Sequence, residues 1–257
     1  MPQPAQPHRT SKQQTAVIAR RLKAFIGKPY LFHPVSVVET LVATILSQNT
    51  SDRNSERAYR QLRVTWESWD QLAQADQGEL AAAIRVGGLA EQKSRTILNA
   101  LRALRQRHGN LDSITFSDTF ADLDDDAVLA ELTSIPGVGL KTASCVLMFA
   151  LGRDVCAVDT HVHRVANRLG IVHARTADAT FHALRPLLPK NAAVQFHVDL
   201  IRFGRWVCKA QRPHCFHCPL YQLCQWPERE AIAAAAQPGP NPVSGDILLS
   251  DILRPHH

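Results

Sequence analysis

Four cysteines, Cys208, Cys215, Cys218 and Cys224, fall within 17 residues in the spacing C-x6-C-x2-C-x5-C. So many thiolates on one short segment read as a metal or cluster site: a [4Fe-4S] cluster takes four such ligands, and so does tetrahedral zinc. A single CxxC pair, with His214 and His217 poorly spaced as zinc competitors, favours the cluster and leaves zinc open. Cys145 and Cys156 lie outside the group, in apolar contexts that suit a core. A second reactive constellation is the stretch ELTSIPGVGLKTASCVLMFALG from Glu131. A helix that begins near Asp125 or Asp126 meets Pro136, which cannot continue it; Gly137 and Gly139 permit positive φ, and a new apolar helix leaves from Leu140. Amides at such a glycine hairpin form a backbone-phosphate site across Pro136, Gly137, Val138 and Gly139. The preceding helix rules out a dinucleotide fingerprint, and Leu140, standing before the lysine, rules out a Walker loop.

Lys141 sits in the first turn of that second helix, where the helix dipole disfavours a cation. The bland reading is a lysine in solvent. The chemical one is a nucleophilic amine, its neutral form favoured by partial burial and the positive helix end. Asp159, in VDTHV, stands at the start of a further helix, where an N-cap role alone would account for it. The alternative is a fixed carboxylate that stabilises developing positive charge or assists proton transfer. His161 and His163 are two apart on a helix and point to different sides, so they are discounted as ligands.

The elements that must position these groups are helical. Ser36 with Glu39 makes a capping box ahead of Val37, Val38, Leu41, Val42, Ile45 and Leu46, and Asp76 with Glu79 repeats the device. A helix from about Glu91 to His108 carries Ile97, Leu98, Leu101 and Leu104 on one stripe and stops at Gly109. Alternating strands are absent; Val155 to Val158 is extended but too short for a sheet. The expectation is an all-α protein.

Composition narrows the function. At 257 residues, 45% hydrophobic and 20% charged, the chain is ordinary globular material, and no apolar run could span a bilayer. No export signal is recognisable at the polar, basic start, so a cytoplasmic setting is expected. The net charge of +6 is segregated. The first 30 residues carry six basic and no acidic groups, residues 111 to 135 seven acidic and no basic ones, and residues 136 to 229 twelve basic against five acidic. Such asymmetry suits a polyanion partner, although a solvated basic face would look the same. Arg202, Arg205, Lys209 and Arg212, interleaved with Phe203, Trp206 and Phe216, suggest a basic loop that the metal pins against DNA.

In combination these pieces resemble the endonuclease III branch of the helix-hairpin-helix base-excision DNA glycosylases. The resemblance rests on ILSQNTSD from Ile45, GGLAEQKS from Gly87, IPGVGLKTA from Ile135, AVDTHVHRVANRLG from Ala157 and the cysteine spacing, and covers residues 36 to 225. It implies a [4Fe-4S] cluster on the four cysteines, Lys141 as nucleophile and Asp159 as catalytic carboxylate. It implies two helical domains: residues 30–153 as a six-helix domain with the hairpin, and residues 11–29 plus 154–225 as the cluster domain. Lys141 and Asp159 would face each other across the cleft between them. Residues 1–10 would be a disordered tail and 226–257 a C-terminal tail. The implied activity is excision of oxidised or ring-saturated pyrimidines from duplex DNA, followed by β-elimination at the abasic site, by a monomer. Leu89 matches a position that wedges into the duplex. Gln48 or Asn49 matches a glutamine that fills the gap opposite the orphaned base, with Asn49 the more natural, shorter equivalent. The acidic stretch from Asp112 to Glu131 is expected to lie away from DNA. Lys141 argues against the adenine-excising and thymine-mismatch relatives. A non-enzymatic DNA-binding protein, or one acting mainly on existing abasic sites, is the competing class.

Overall fold

The computed structural model describes residues 12–30, 35–113 and 120–235. Among them there is no strand, and the chain divides into two compact units. One comprises residues 35–113 and 120–153; the other joins 12–30 to 154–235. Among the described residues no helix is long and apolar enough to cross a membrane.

The first helix, α1 (Lys12–Ile26), buries Ile18, Leu22 and Ile26 and packs on α11 (Ala193–Trp206), far along the chain. Two long-range hydrogen bonds hold its exit: Tyr30 N–H donates to Gln195 Oε1 at 2.7 Å, and Arg202 Nη1 donates to Lys28 O at 3.0 Å. Arg202 is 2% exposed and Phe203 and Trp206 are buried beside it. Arg202 and Phe203, expected on a basic DNA-facing loop, instead build the α1–α11 seam. The reason is position: they lie on the face of α11 that α1 covers, and a buried guanidinium is tolerable because a carbonyl receives it. Lys209 and Arg212 remain exposed and Arg205 is half-buried.

In the same unit, α9 (Thr160–Arg168), with Val162, Val165 and Ala166 buried, packs on α11, and α10 (Ala177–Leu184) follows. Asp199 on α11 is 1% exposed; burial pushes its carboxyl up to about 6 despite a hydrogen bond from Gln195 and the charges of Arg202 and Lys23. A carboxyl raised from 3.8 contributes most below pH 3.8, and that contribution is lost as pH rises through 6. Asp199→Asn keeps an acceptor for Gln195 and removes the buried charge. It is expected to stabilise the protein by about 1–3 kcal/mol at pH 7 and by nothing near pH 4, read as thermal midpoints. A midpoint gain independent of pH would refute the electrostatic cause.

The other unit is organised around α2 (Val37–Ser47), whose Val37, Val38, Leu41, Val42, Ile45 and Leu46 are buried. A helix apolar on nearly every side must be enclosed, and α3 (Asp52–Thr65), α6 (Ala90–His108) and α8 (Leu140–Cys145) enclose it. The Ser36 box closes at both bonds, Glu39 N–H to Ser36 Oγ at 3.0 Å and Ser36 N–H to Glu39 Oε2 at 3.2 Å. Asp76 caps α5 (Gln77–Ala83) through the Gly78 and Glu79 amides, behind the short α4 (Trp69–Gln74). Gly109, at φ +83°, ends α6.

Much of the acidic stretch is consumed internally. Burial pushes the Asp112 carboxyl up, but donors from Ser68, Trp69 and Asp70 outweigh it and hold it below the usual range. Asp124 caps α7 (Asp125–Thr133), Asp125 pairs with Arg153 at 3.3 Å, and Glu131 meets His108 at 2.6 Å. Residues 114–119, with Asp118, lie outside the described residues. So do the expected N-terminal tail and residues 236–257. Of the expected C-terminal tail, residues 229–235 form a helix, α12 (Arg229–Ala235), packed near the turn at Cys215–His217.

Candidate active site and cysteine centre

The hairpin is built as the sequence suggests, with one change. After α7, Ile135 N–H bonds to Leu132 O and Val138 N–H to Ile135 O at 3.0 Å, while Ile135 and Val138 plug the core. Gly137 takes φ +92°, and a Cβ there would lie 2.7 Å from Thr96 Oγ1. Gly139, the N-cap of α8, has φ −90° and open space around its Cβ position. Only one of the two glycines therefore uses positive φ, because a single left-handed residue already reverses the chain. Gly137→Ala is expected to cost about 1–3 kcal/mol and to weaken DNA binding, whereas Gly139→Ala should cost under about 1 kcal/mol. Parallel denaturation and binding titrations test this; equal costs would refute the asymmetry.

Pro136, Gly137 and Gly139 are exposed, and the first-turn amides of α8 lack intrahelical acceptors, as at any helix start. Lys141 follows in that turn, half-buried. Beyond Cys145 the helix widens into a π turn at Val146–Ala150, wholly buried. Beside Lys141, Thr142 Oγ1 accepts from Gln48 Nε2 at 3.2 Å. Gln48 is thus tied next to the lysine, and its neighbour Asn49 is exposed at φ +50°. Leu89 is 51% exposed, also at φ +50°, and opens α6 with no side-chain cap. A left-handed leucine held in solvent is strained and apolar at once, a combination found at functional turns. Lys141, the hairpin, Gln48, Asn49 and Leu89 all belong to the unit of residues 35–153.

Asp159 belongs to the unit that carries the cysteines. It is the N-cap of α9, with Oδ1 accepting from Val162 N–H at 2.8 Å. The cap bond fixes the carboxylate's orientation. Burial holds the adjacent His161 imidazole below its usual range, so it is neutral at pH 7 and accepts from Arg164 Nη2 at 3.1 Å. His163 Nδ1 meets Thr180 Oγ1 at 2.7 Å. Neither histidine is placed as a ligand.

Cys208, Cys215, Cys218 and Cys224 line one cavity with Leu169, Phe203, Val207, Pro213, His214, Arg168 and Trp226. No disulfide forms among them. Burial, then the charges of Cys208 and Cys224, push the Cys215 thiol up; burial pushes Cys218 up to about 12. The shared cavity brings the four sulfurs together; without a metal they are neutral thiols, and holding them as thiolates would take cationic metal. Among the described residues, no group of three or more His, Cys, Asp or Glu side chains is drawn in around a single ion.

Arginines of α9 organise the loop. Arg164 Nε donates to Cys208 O, and Arg168 donates to Lys209 O at 2.7 Å and Ala210 O at 3.1 Å, leaving the Lys209 and Arg212 side chains outward. Arg168 also stacks 3.9 Å from the Trp226 ring centre. Sequence reasoning missed Arg168, Trp226 and Thr142, whose roles depend on contacts across the fold. It also passed over Lys93, although a lysine in register with Ile97 and Leu101 on the buried stripe of α6 was a readable signal.

The helical fold, with its glycine hairpin and cysteine loop, is that of a DNA-repair glycosylase. The family model of the HhH-GPD superfamily base excision DNA repair proteins matches residues 42–190, and the chain belongs to this superfamily. Within it, the chain is similar to endonuclease III. It is 36% identical over 189 residues to Endonuclease III of Thermotoga maritima, covering 74% of this chain and 83% of that protein. A solved non-covalent endonuclease III–DNA complex superposes with a TM-score of 0.72 at 29% identity, over 86% of this chain and 97% of the other. A trapped endonuclease III–DNA covalent intermediate gives the same score and identity, over 86% and 98%.

Proposed function

We propose that this protein is a bifunctional DNA glycosylase and abasic-site lyase that removes oxidised or ring-saturated pyrimidines from duplex DNA. The observation that carries the reading is Lys141, half-buried in the turn directly after the hairpin. The likeness to a protein trapped covalently on DNA supports it. The hairpin amides receive a backbone phosphate and the damaged nucleoside leaves the stack, at least cost where its pairing is already weak. The Lys141 amine attacks the anomeric sugar carbon. The glycosidic bond breaks, the base departs with the bonding pair and takes up the proton that the newly bonded amine gives up, and the Asp159 carboxylate stabilises the cationic sugar. Ring opening gives an imine between Lys141 and the sugar. Loss of the C2′ proton then expels the 3′ phosphate, and water releases the enzyme.

Asn49 and Leu89 are read as the side chains that enter the duplex. Gln48, tied to Thr142, is read as a positioning residue beside Lys141. Lys209 and Arg212, exposed on the cysteine loop, with Arg205 beside them, supply phosphate contacts. Residues 30–153 act as the hairpin domain, and 11–29 with 154–225 as the cluster domain.

The four thiols fit a [4Fe-4S] cluster held by Cys208, Cys215, Cys218 and Cys224. What supports the cluster is the ligand set: four cysteines lining one apolar-walled cavity, with a single CxxC pair among them. Bound there, the cluster would cross-link the loop that carries Lys209 and Arg212. Iron and labile-sulfide analysis checks it; zinc without iron would overturn it.

One experiment tests the function: incubation with duplexes carrying a thymine glycol or an abasic site, reduction with borohydride, and a search for covalent adducts. Adducts on both are expected. An adduct on the abasic duplex alone would reduce the activity to a lyase, and none on either would favour a non-enzymatic binder.

A further inference from the structure

Lys93 is 2% exposed, and nothing in the chemistry above uses it. It lies near the N-terminus of α6, the end of a helix that disfavours a cation. Its ammonium stays at that end, where two backbone carbonyls receive it. Nζ donates to Leu46 O at 2.7 Å and to Gly87 O at 2.7 Å, while its own backbone N–H bonds to Leu89 O at 2.9 Å. Leu46 is in the last turn of α2, whose carbonyls have no intrahelical donor and sit at the negative end of the dipole. Gly87 closes the short 3-10 turn before α6. One buried ammonium therefore joins the end of one helix to the start of another, and burial alone pushes it down to about 8.

What the two joined segments carry gives the contact its meaning. Three residues past Leu46 stands Asn49 and two past Gly87 stands Leu89, both exposed and both at φ +50°. We propose that Lys93 is a positioning residue for base extrusion: by holding Leu46 O and Gly87 O at once, it yokes the Asn49 turn to the Leu89 turn, so that the two side chains enter the duplex as one rigid pair. This rests on reading Asn49 and Leu89 as duplex-entering residues. The pair's spacing is set inside the protein, before DNA arrives, which limits the ordering that extrusion would otherwise require.

The test compares Lys93→Met, Leu89→Ala and the double variant in the full chain. Excision of thymine glycol from duplex DNA is expected to fall about 10- to 100-fold in Lys93→Met. Borohydride trapping on a single-stranded abasic oligonucleotide, where no base is extruded, should stay within about 2-fold of the unmodified protein. On the Leu89→Ala background, Lys93→Met should add less than about 3-fold, as expected of a residue acting through Leu89. Fluorescence of a 2-aminopurine placed opposite a reduced abasic site, which reports insertion without any chemistry, should rise on binding and lose most of that rise in Lys93→Met. Unchanged duplex excision, equal losses on single and double strands, or fully multiplicative losses in the double variant would each overturn the proposal. If the unmodified protein formed no adduct at all, the proposed activity would fail, while the 2-aminopurine signal would still decide the positioning role. Should Lys93→Met not fold, Lys93→Gln, which keeps one donor, takes its place, with a smaller loss in the same pattern.

Discussion

Lys141→Ala is expected to abolish the borohydride-trapped adduct and lower strand cleavage by more than about 10³-fold, because the step that forms the covalent bond loses its nucleophile. The fold should not suffer. Alanine is the better helix former, and the side chain lost is only half-buried in the first turn of α8. DNA affinity should change little, since the amides proposed to receive phosphate, those of Gly137, Gly139 and Leu140, belong to the backbone. Removing one cation lowers the salt dependence by at most about one ion. Trapping gels and a salt titration of binding, run side by side, make the comparison. Persistent cleavage would move the nucleophile elsewhere; loss of binding in step with cleavage would make Lys141 a mere phosphate contact.

Asp159→Asn carries the second large effect, and the geometry makes it unusually clean. Asp159 Oδ1 caps α9 through Val162 N–H at 2.8 Å, and asparagine caps a helix about as well as aspartate. The substitution therefore removes the negative charge and leaves the cap. Base excision is expected to fall by about 10²- to 10⁴-fold, with folding stability altered by no more than a few tenths of a kcal/mol. Asp159→Ala should lose the same activity and, with the cap gone, a further ~1 kcal/mol of stability. Trapping on a preformed abasic site should suffer less than base excision, because no glycosidic bond remains to break. Full excision by Asp159→Asn would show that the carboxylate serves only as a cap.

The features that local rules reach were legible in the sequence. The Ser36–Glu39 box, the Gly109 stop, the Asp159 cap and the turn from Ile135 to Gly139 are each settled by partners within about four residues, where spacing alone decides who meets whom. The crowding of four cysteines into 17 residues likewise needs no tertiary information. The acidic stretch and the basic residues of α11 were harder, because charge in a sequence does not say which groups are spent inside the fold. Asp112 ends up on the amides of α4, 43 residues away, and Arg202 on a carbonyl 174 residues away.

The sequence by itself determined an all-helical chain, a glycine hairpin followed by a lysine, a capping aspartate and a thiolate site. Only the tertiary structure decided that Gly137 alone carries the left-handed turn, that Gln48 is bound to Thr142 across 94 residues while Asn49 stays exposed, and that Lys93 joins two turns from inside the core. The difference is physical. Helix caps and turns are closed by short loops whose entropy is small, so their outcome is written locally. A buried ammonium or a tethered glutamine finds its partner only after the packing of α2, α6 and α8 has brought distant backbone into reach.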